Sequence, residues 1–233
     1  MVGAGAALSA MPSTGLTSER VRARMVERVR ELGVRDPRVL AAMRRIERHR
    51  FVDQAFASRA YEDTHLPLGF GQTISQPYVV ARFAELALNG TVDPKSSTAL
   101  EVGTGCGYAA AVLSDLFGTV YSIERVRALH EMARANLRPL RIANLRLVFG
   151  DGMLGLASEA PFGAIVCTAA ADDIPAAWVG QLAPGGVIIA PLGRDAQVLT
   201  VLSKTLEGRI VRREHESVRF VPLLQGTVNA DNR

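Results

Sequence analysis

Short apolar runs alternate with segments of helical spacing between residues 98 and 193, and this alternation restricts the fold more than any other feature of the sequence. The runs Ala164–Cys167 and Val187–Ala190 contain no polar residue, as expected of strands that are covered on both faces. Strands that alternate with helices form parallel sheets with helices packed on both sides. The sequence therefore predicts an α/β fold with a doubly wound, mostly parallel sheet.

Helices are predicted before this region and an antiparallel hairpin after it. Helical spacing and helix-start signals predict helices over residues 18–32, 36–46, 50–60 and 76–88, the last with Ser75 as its N-cap. Residues 61–74 are polar and rich in glycine, without a clear period. Residues 196–203 and 209–220 have the composition of strands, and the turn between them predicts a hairpin at one edge of the sheet.

The positive charge of the chain is concentrated at one end. The net charge is +4 and the pI is about 9.5, values that by themselves suggest a nucleic-acid partner. Residues 1–50, however, hold eleven arginines against five acidic residues, whereas the other 183 residues hold sixteen basic and eighteen acidic ones. The excess therefore belongs to the outer faces of the first two helices, and the rest of the chain is slightly acidic.

Cysteine content and hydropathy indicate the compartment. The two cysteines, Cys106 and Cys167, each lie in an apolar or glycine-rich stretch that predicts burial, so we expect reduced thiols and a cytoplasmic protein. No segment approaches the roughly eighteen consecutive apolar residues of a membrane span. We expect no membrane association.

A glycine-rich loop, Gly103 to Gly107, follows the first apolar strand and leads into a helix that Tyr108 opens. This position is typical of nucleotide-type ligands, but the third glycine comes one residue too early for the dinucleotide fingerprint and no P-loop lysine follows. The loop has no Lys or Arg and Glu101 precedes it, which disfavours a pyrophosphate and suits a ligand with positive charge. S-adenosylmethionine, with its sulfonium and ammonium groups, fits this description.

Acidic residues also follow the next two strands. Glu124 lies nineteen residues beyond Gly105, where a carboxylate accepts hydrogen bonds from ribose hydroxyls in dinucleotide folds. Asp151 stands between two glycines after the third strand, where an adenine amino group would lie. A tight turn, a solvated strand end and a turn former would explain these features one by one. Their occurrence at three consecutive strand ends indicates a site for S-adenosylmethionine.

Several segments together resemble class I S-adenosylmethionine-dependent methyltransferases. They are residues 99–114 (ALEVGTGCGYAAAVLS), 120–126 (VYSIERV), 150–152 (GDG) and 181–193 (QLAPGGVIIAPLG). Residues 68–78 (LGFGQTISQPY), 169–171 (AAA) and 219–223 (RFVPL) are more specifically similar to the protein-L-isoaspartate O-methyltransferases. The resemblance covers roughly residues 17–225. The chain departs from bacterial members at Phe70, where a polar residue or His is frequent, and in its long N-terminal tail.

This resemblance implies a Rossmann-like methyltransferase fold and a repair enzyme that methylates the carboxylate of L-isoaspartyl residues in damaged proteins. We expect a single compact unit and a monomer, with a flexible tail over residues 1–17. An N-terminal helical segment with the substrate-binding loop would span residues 18–90. The S-adenosylmethionine-binding α/β domain with its C-terminal strands would span residues 91–225.

The resemblance also assigns site residues, with no metal among the cofactors. Those expected to contact S-adenosylmethionine are Thr73, Ile74, Ser75, Glu101, Gly103, Thr104, Gly105, Gly107, Tyr108, Glu124, Arg125, Asp151 and Gly152. Those expected to contact the substrate peptide are Ile74, Ser75, Gln76, Val218, Phe220 and Val221. A carboxylate needs no general base to act as a nucleophile, so the catalytic role predicted for Ser75 is to hold the reactive carboxylate. Capping of the following helix would compete for the same hydroxyl.

Three other functions remain open at this point. A nucleic-acid methyltransferase would explain the basic N-terminal helices, but Cys167–Asp172 does not resemble the Asn/Asp-Pro-Pro-aromatic segment of base aminomethylation, and aromatic residues make up only 6% of the chain. The second is a related enzyme that esterifies one aspartate in a single dedicated peptide. A binding module without turnover is disfavoured because every expected ligand-facing residue is present.

Overall fold

The computed structural model describes residue 15 and residues 17–229, which form a seven-stranded sheet, a separate two-stranded hairpin and six α-helices. The strands are β1 (Leu66–Gly69), β2 (Gln72–Ile74), β3 (Thr98–Val102), β4 (Thr119–Glu124), β5 (Leu145–Phe149), β6 (Phe162–Cys167), β7 (Leu182–Leu192), β8 (Gln197–Lys204) and β9 (Ile210–Val218). The helices are α1 (Glu19–Glu31), α2 (Pro37–Arg45), α3 (Pro77–Gly90), α4 (Tyr108–Ser114), α5 (Arg127–Leu137) and α6 (Ala176–Gln181). The predicted flexible tail, residues 1–17, lies outside the described residues except for Gly15 and Thr17.

The central sheet has the strand order β5-β4-β3-β6-β7-β8-β9. β3 to β7 are parallel, and β8 and β9 add two antiparallel strands at one edge. The predicted doubly wound sheet and its C-terminal hairpin are both confirmed. Because the sheet extends from β3 to β5 on one side and from β3 to β7 on the other, the connections diverge and leave a crevice at the carboxyl end of β3.

Both faces of the sheet are covered, as the apolar strands predict. All six residues of β6 are buried, and neighbouring residues of β7 such as Ile188 and Ile189 belong to apolar clusters on opposite faces. The cluster on one face includes Met25 of α1 and Phe83 of α3, whereas Trp178 of α6 lies in the other. Of the N-terminal helices, α3 packs on β6 and β7 of the sheet that carries the crevice, and α1 and α2 pack on α3.

Residues 50–60 do not form the predicted α-helix. Two 3-10 helices, Arg48–Phe51 and Gln54–Arg59, occupy this segment instead. Val52 between them is extended, with φ −121° and ψ 158°, and the Asp53 carboxylate accepts a hydrogen bond from the Ala55 N–H at 2.8 Å. A side chain that bonds to its own local backbone in this way competes with a continuous helix.

Residues 61–74 are more ordered than their composition predicts, because β1 and β2 form an antiparallel hairpin with Gly69 opposite Gln72. Phe70 and Gly71 make the turn, and both have positive φ, at 54° and 68°. Tight hairpin turns of this kind favour Asn-Gly, since a bulky side chain is strained in the left-handed region. Phe70 nevertheless occupies this position with 55% of its surface exposed.

Replacing Phe70 with Asn should stabilise the protein. Asn tolerates the left-handed conformation, and an exposed Phe contributes little burial, so we expect the free energy of unfolding to rise by about 0.5–1 kcal/mol. Chemical denaturation of Phe70→Asn and Phe70→Ala measures the effect, with alanine as the control that removes the ring but keeps the backbone strain. An Asn variant no more stable than the Ala variant would contradict this account of the turn.

The basic excess of the N-terminal helices lies on the surface and is largely paired. The ion pairs of these helices are Arg22–Glu47, Arg28–Glu31, Arg30–Glu27, Arg38–Asp36, Arg44–Glu19 and Arg45–Asp115. None of these residues lines the crevice at the carboxyl end of β3. Over the described residues, no helix combines the length and the apolar character needed to cross a bilayer.

Candidate active site

A cavity of about 870 Å³ opens at the carboxyl end of β3, between the glycine loop, the β1–β2 hairpin, α3 and the end of β9. Most residues that the sequence predicts for the two ligands line it together: Thr73, Ile74, Ser75, Gln76, Gly103, Thr104, Gly105, Tyr108, Glu124, Arg125, Gly152, Val218, Phe220 and Val221. Glu101, Gly107 and Asp151 do not line it. Its volume suits a small cosubstrate and part of a second ligand.

The glycine loop takes its shape from backbone conformations that other residues rarely adopt. Gly103, Gly105 and Gly107 have φ of 97°, 54° and 90°. A Cβ on Gly103 would lie 2.5 Å from the Oγ1 of Thr168, which donates hydrogen bonds to the carbonyls of Val102 and Gly103 at 3.2 and 2.8 Å. Glycine is therefore required here both by the dihedral angle and by the close approach of the loop that follows β6.

Glu124 holds the glycine loop to the end of β4. Its Oε2 accepts a hydrogen bond from the Gly105 N–H and its Oε1 one from the Val126 N–H, both at 2.9 Å. The residue is only 5% exposed, yet it lines the cavity. Each carboxylate oxygen can accept a further hydrogen bond, so a diol at this place would be recognised by a carboxylate that the backbone has already oriented.

Asp151 makes a different set of contacts from the one predicted. Its Oδ1 accepts from the Met153 N–H at 2.9 Å and its Oδ2 from the Gly226 N–H at 2.7 Å. A second hydrogen bond holds the chain near Gly226, since the Arg125 Nε donates to the Gly226 carbonyl at 2.9 Å. Asp151 thus joins the turn after β5 to the C-terminal segment, and a contact with adenine stays a prediction.

Glu101 is fully buried and lies behind the glycine loop instead of in the cavity. Ser122 donates a short hydrogen bond to its Oε2, and the Ser122 and Thr104 hydroxyl oxygens are 2.6 Å apart, so two hydroxyls connect Glu101 to a residue that lines the cavity. Its Oε1 has no hydrogen-bond partner among the described residues. Burial, and secondarily the charge of Glu124, raise the pKa of Glu101 to about 8.

This raised pKa corrects the sequence argument, because Glu101 is mostly neutral at pH 7 until a cation arrives. A cationic ligand in the cavity favours the carboxylate form, so binding should release a proton, and affinity for S-adenosylmethionine should rise with pH and level off above about pH 8, by at most about tenfold per unit. Calorimetry in buffers of different ionisation enthalpy measures the released proton. Glu101→Gln should abolish the release, and a pH-independent affinity in the unsubstituted protein would refute the coupling.

The cysteines near the cavity are unsuited to nucleophilic catalysis. Cys106 and Cys167 are both free and buried, and burial raises the pKa of the Cys106 thiol to about 11 and that of the Cys167 thiol to about 12. A thiol with such a pKa carries almost no thiolate at neutral pH. Among the described residues, no group of three or more His, Cys, Asp or Glu side chains is arranged to hold a metal ion.

Ser75 is not the N-cap of α3, contrary to the prediction. The N-cap is Gln76, the helix begins at Pro77, and the Tyr78 N–H of its first turn donates to the Asp63 Oδ1 at 2.8 Å. Ser75 lines the cavity just before the helix. The cap is thus supplied from fifteen residues upstream, and the Ser75 hydroxyl does not have to serve it.

The end of β9 and the segment after it form the wall opposite the glycine loop. Phe220 uses both of its backbone groups on the Gln197 side chain, accepting from Nε2 at 3.0 Å and donating to Oε1 at 2.6 Å, and its ring lies 5.4 Å from that of Phe83. The Val221 carbonyl accepts from the Ala170 N–H at 2.8 Å. Both backbone groups of Phe220 are therefore already paired, and a peptide backbone would have to pair with other groups of this wall.

Several residues that line the cavity are not among those predicted from the sequence, including Tyr78, Arg82 and Glu216. Arg82 of α3 donates from Nε to the Glu216 carboxylate at 3.0 Å, and the Tyr78 hydroxyl is 3.5 Å from the same oxygen. Arg82 also contacts Glu85, whose other oxygen accepts from the backbone at the start of α2. A charged pair between α3 and β9 thus closes one end of the cavity. Helical spacing alone gives no signal for a partner on a distant strand.

Comparison with known proteins identifies the family. The family described as protein-L-isoaspartate(D-aspartate) O-methyltransferase matches residues 20–228. The chain belongs to this family. Its members use S-adenosylmethionine as cosubstrate. The Glu124 carboxylate and Gly103, Thr104 and Gly105 of the glycine loop line the cavity together. The resemblance predicted from residues 68–78 is thereby confirmed.

Named relatives and solved structures of the same family agree with this assignment. Protein-L-isoaspartate O-methyltransferase of Methylibium petroleiphilum is 53% identical over 216 residues, which are 91% of this chain and 80% of the relative. That of Dechloromonas aromatica is 53% identical over 213 residues, 91% of this chain and 97% of the relative. A Plasmodium falciparum structure described as a protein-L-isoaspartate O-methyltransferase with S-adenosyl-L-homocysteine has a TM-score of 0.76 at 25% identity and covers 87% of this chain and 98% of that one.

Proposed function

We propose that this family member transfers a methyl group from S-adenosylmethionine to the free carboxylate of L-isoaspartyl residues in damaged proteins and peptides. The observation that carries the proposal is a single cavity lined both by the glycine loop with Glu124 and by the segment Thr73–Gln76, which resembles the family signature. The relatives at 53% identity carry the name of this activity. In the methyl ester, the following backbone nitrogen can displace methanol and close a succinimide, which water can reopen to normal aspartate.

The reaction requires the protein to position the substrate carboxylate and does not require it to transfer a proton. When bound, S-adenosylmethionine supplies an electrophilic methyl group on a sulfonium. An isoaspartyl carboxylate is already ionised at pH 7, so no residue has to act as a base. Holding one oxygen in line with the methyl group can contribute about 7–11 kcal/mol to lowering the barrier. In this proposal Ser75 donates a hydrogen bond to the carboxylate and fixes that oxygen.

Exclusion of water is the second contribution of the cavity. A carboxylate and a sulfonium neutralise each other as they react, so a less polar environment destabilises the separated charges more than the transition state. Apolar side chains such as Ile74, Val79, Phe83 and Phe220 line the cavity beside Ser75. The carboxyl groups of Glu124 and Glu216 lie at its edges, where the backbone and Arg82 hold them.

A matched pair of peptides tests the proposal. Incubation with labelled S-adenosylmethionine should give base-labile methyl ester on an isoaspartyl peptide and none on the same peptide with normal aspartate. Several isoaspartyl peptides of unrelated sequence should all react. Label on the aspartyl peptide, or on one peptide sequence alone, would instead indicate the related activity on a dedicated peptide and would contradict broad repair.

We further propose a cytoplasmic monomer that does not act on nucleic acid or at a membrane. The two buried, free thiols support a reducing compartment. The ion pairs of the arginines on α1 and α2 support a solvated surface and not a phosphate-binding one. A salt-dependent mobility shift on duplex or single-stranded nucleic acid would contradict this part of the proposal.

A further inference from the structure

Arg48 is a fully buried cation without a carboxylate partner. Its exposed fraction is 0%, and no ion pair of Arg48 occurs among the described residues. Its Nη1 has no hydrogen-bond partner there either. Burial lowers the pKa of its guanidinium, with Tyr108, Cys106 and Asp63 acting in the opposite direction. Burying an arginine in this way is costly, so its remaining contacts indicate what the fold gains from it.

Those contacts join the segment before the β1–β2 hairpin to the cosubstrate side of the cavity. Nε of Arg48 donates to the Ala60 carbonyl at 2.8 Å, and Nη2 to the Thr64 carbonyl at 3.4 Å. The guanidinium carbon lies 5.1 Å from the ring centre of Tyr108, the first residue of α4. Arg48 therefore bonds to both ends of residues 60–64 and holds this segment next to α4, the helix that follows the glycine loop.

Asp63 lies within residues 60–64 and connects this segment to the start of α3, beside the cavity. Its Oδ1 accepts the Tyr78 N–H at 2.8 Å and so caps α3. Two residues separate Tyr78 from Ser75, and both Ser75 and Gln76 line the cavity. The start of α3 is thus fixed relative to the glycine loop through Asp63, residues 60–64 and Arg48.

We propose that Asp63, held in place by Arg48, is a positioning residue that sets Ser75 and the first turn of α3 for the substrate carboxylate. Without the acceptor on Asp63, the first turn loses a hydrogen-bond partner and Ser75 samples more positions. The glycine loop and Glu124 keep their own contacts, so binding of S-adenosylmethionine should be preserved. The inference rests on the proposed function, because Ser75 is taken to hold the isoaspartyl carboxylate.

The test compares Asp63→Ala with Asp63→Asn and with Asp36→Ala as a matched control. Asp36 is the N-cap residue of α2 and also accepts from a first-turn N–H, that of Arg38, at 2.9 Å, and it does not line the cavity. We expect Asp63→Ala to lower kcat/KM for an isoaspartyl peptide by about tenfold while the Kd for S-adenosylmethionine changes by less than about twofold. Asp63→Asn keeps an acceptor for Tyr78 and should restore most of the activity. Asp36→Ala should lose comparable thermal stability without losing kcat/KM.

Three results would overturn the inference: an unchanged kcat/KM in Asp63→Ala, a parallel loss of kcat/KM in Asp36→Ala, or a failure of Asp63→Asn to restore activity. If Asp63→Ala does not fold, Asp63→Glu replaces it, since the longer side chain keeps the charge but displaces the acceptor. Asp63→Glu should then show the same loss, and full activity in that variant would also refute the role. A protein that methylates no isoaspartyl peptide before substitution would refute the proposed function instead, which separates the two failures.

Discussion

Ser75→Ala should lower kcat/KM for an isoaspartyl peptide by about 10- to 100-fold, because a hydrogen bond to a charged group contributes about 1.5–3 kcal/mol. The loss should fall on the peptide reaction alone. Since Asp63 caps α3, the alanine variant keeps the helix start, and its melting temperature should change little. Steady-state kinetics with an isoaspartyl peptide and thermal unfolding of the same preparation provide the two measurements.

The matched control for this variant is Ser97→Ala. The Ser97 hydroxyl bonds to a local carbonyl, that of Asp93, at 2.6 Å, and it lies outside the cavity. Its removal should leave kcat/KM unchanged. If Ser75→Ala lost activity and stability together, or weakened S-adenosylmethionine binding as much as peptide turnover, the hydroxyl would be a structural group and not the one that holds the substrate.

Glu124→Ala should weaken binding of S-adenosylmethionine by about 100-fold, corresponding to roughly 3 kcal/mol. Two effects add. The variant loses the carboxylate for the ribose, and it leaves the Gly105 and Val126 N–H groups without their acceptor, so the glycine loop is no longer fixed. Calorimetric titration with S-adenosylmethionine or its demethylated product measures the Kd directly.

Glu131→Ala serves as the control for Glu124→Ala. Glu131 is an exposed carboxylate on α5 that pairs with Arg134, and it lies outside the cavity. The substitution removes the same charge from the same region of the protein, so its Kd should stay close to that of the unsubstituted protein. An equal loss in both variants would assign the effect to long-range charge, and an unchanged Kd in Glu124→Ala would contradict the cosubstrate site as described.

Local signals in the sequence were sufficient for the sheet and for much of the cavity. Strands such as β6 are apolar throughout because both of their faces are covered, and this pattern can be recognised in the sequence alone. The glycine loop can also be recognised in the sequence, since its positive φ angles disfavour most residues other than glycine. Glu124 follows from the length of one strand-helix-strand unit, which places it near Gly105.

Other features depend on surroundings that lie far away in sequence, and these the sequence does not show. Ser75 resembles an N-cap by its position, but the acceptor that α3 uses belongs to Asp63. Asp151 resembles a ligand-facing turn residue, but one of its oxygens is bonded to the backbone at Gly226, seventy-five residues later. Composition shows that Glu101 is acidic, but only its burial shows that it is mostly neutral at pH 7.

The β1–β2 hairpin shows a second limit, because its turn does not follow the usual residue preferences. Phe70 occupies a left-handed position that the statistics of turns reserve for Asn or Gly, so residues 61–74 appear irregular. The pairing of Leu66 with Ile74 and the packing of Leu68 near the glycine loop compensate for the strain. Such tertiary compensation has no signature within the hairpin itself.

The contacts of the C-terminal segment have a consequence for the order in which the site is assembled during biosynthesis. Gly226 is bonded to Asp151 and Arg125, and the Val228 backbone pairs with that of Arg125 and Arg127, so this segment ties the ends of β4 and β5 together. These residues follow every strand of the sheet in chain order, so they are synthesised after the strands. The parallel strands can therefore form before residues 226–228 close the rim beside Arg125.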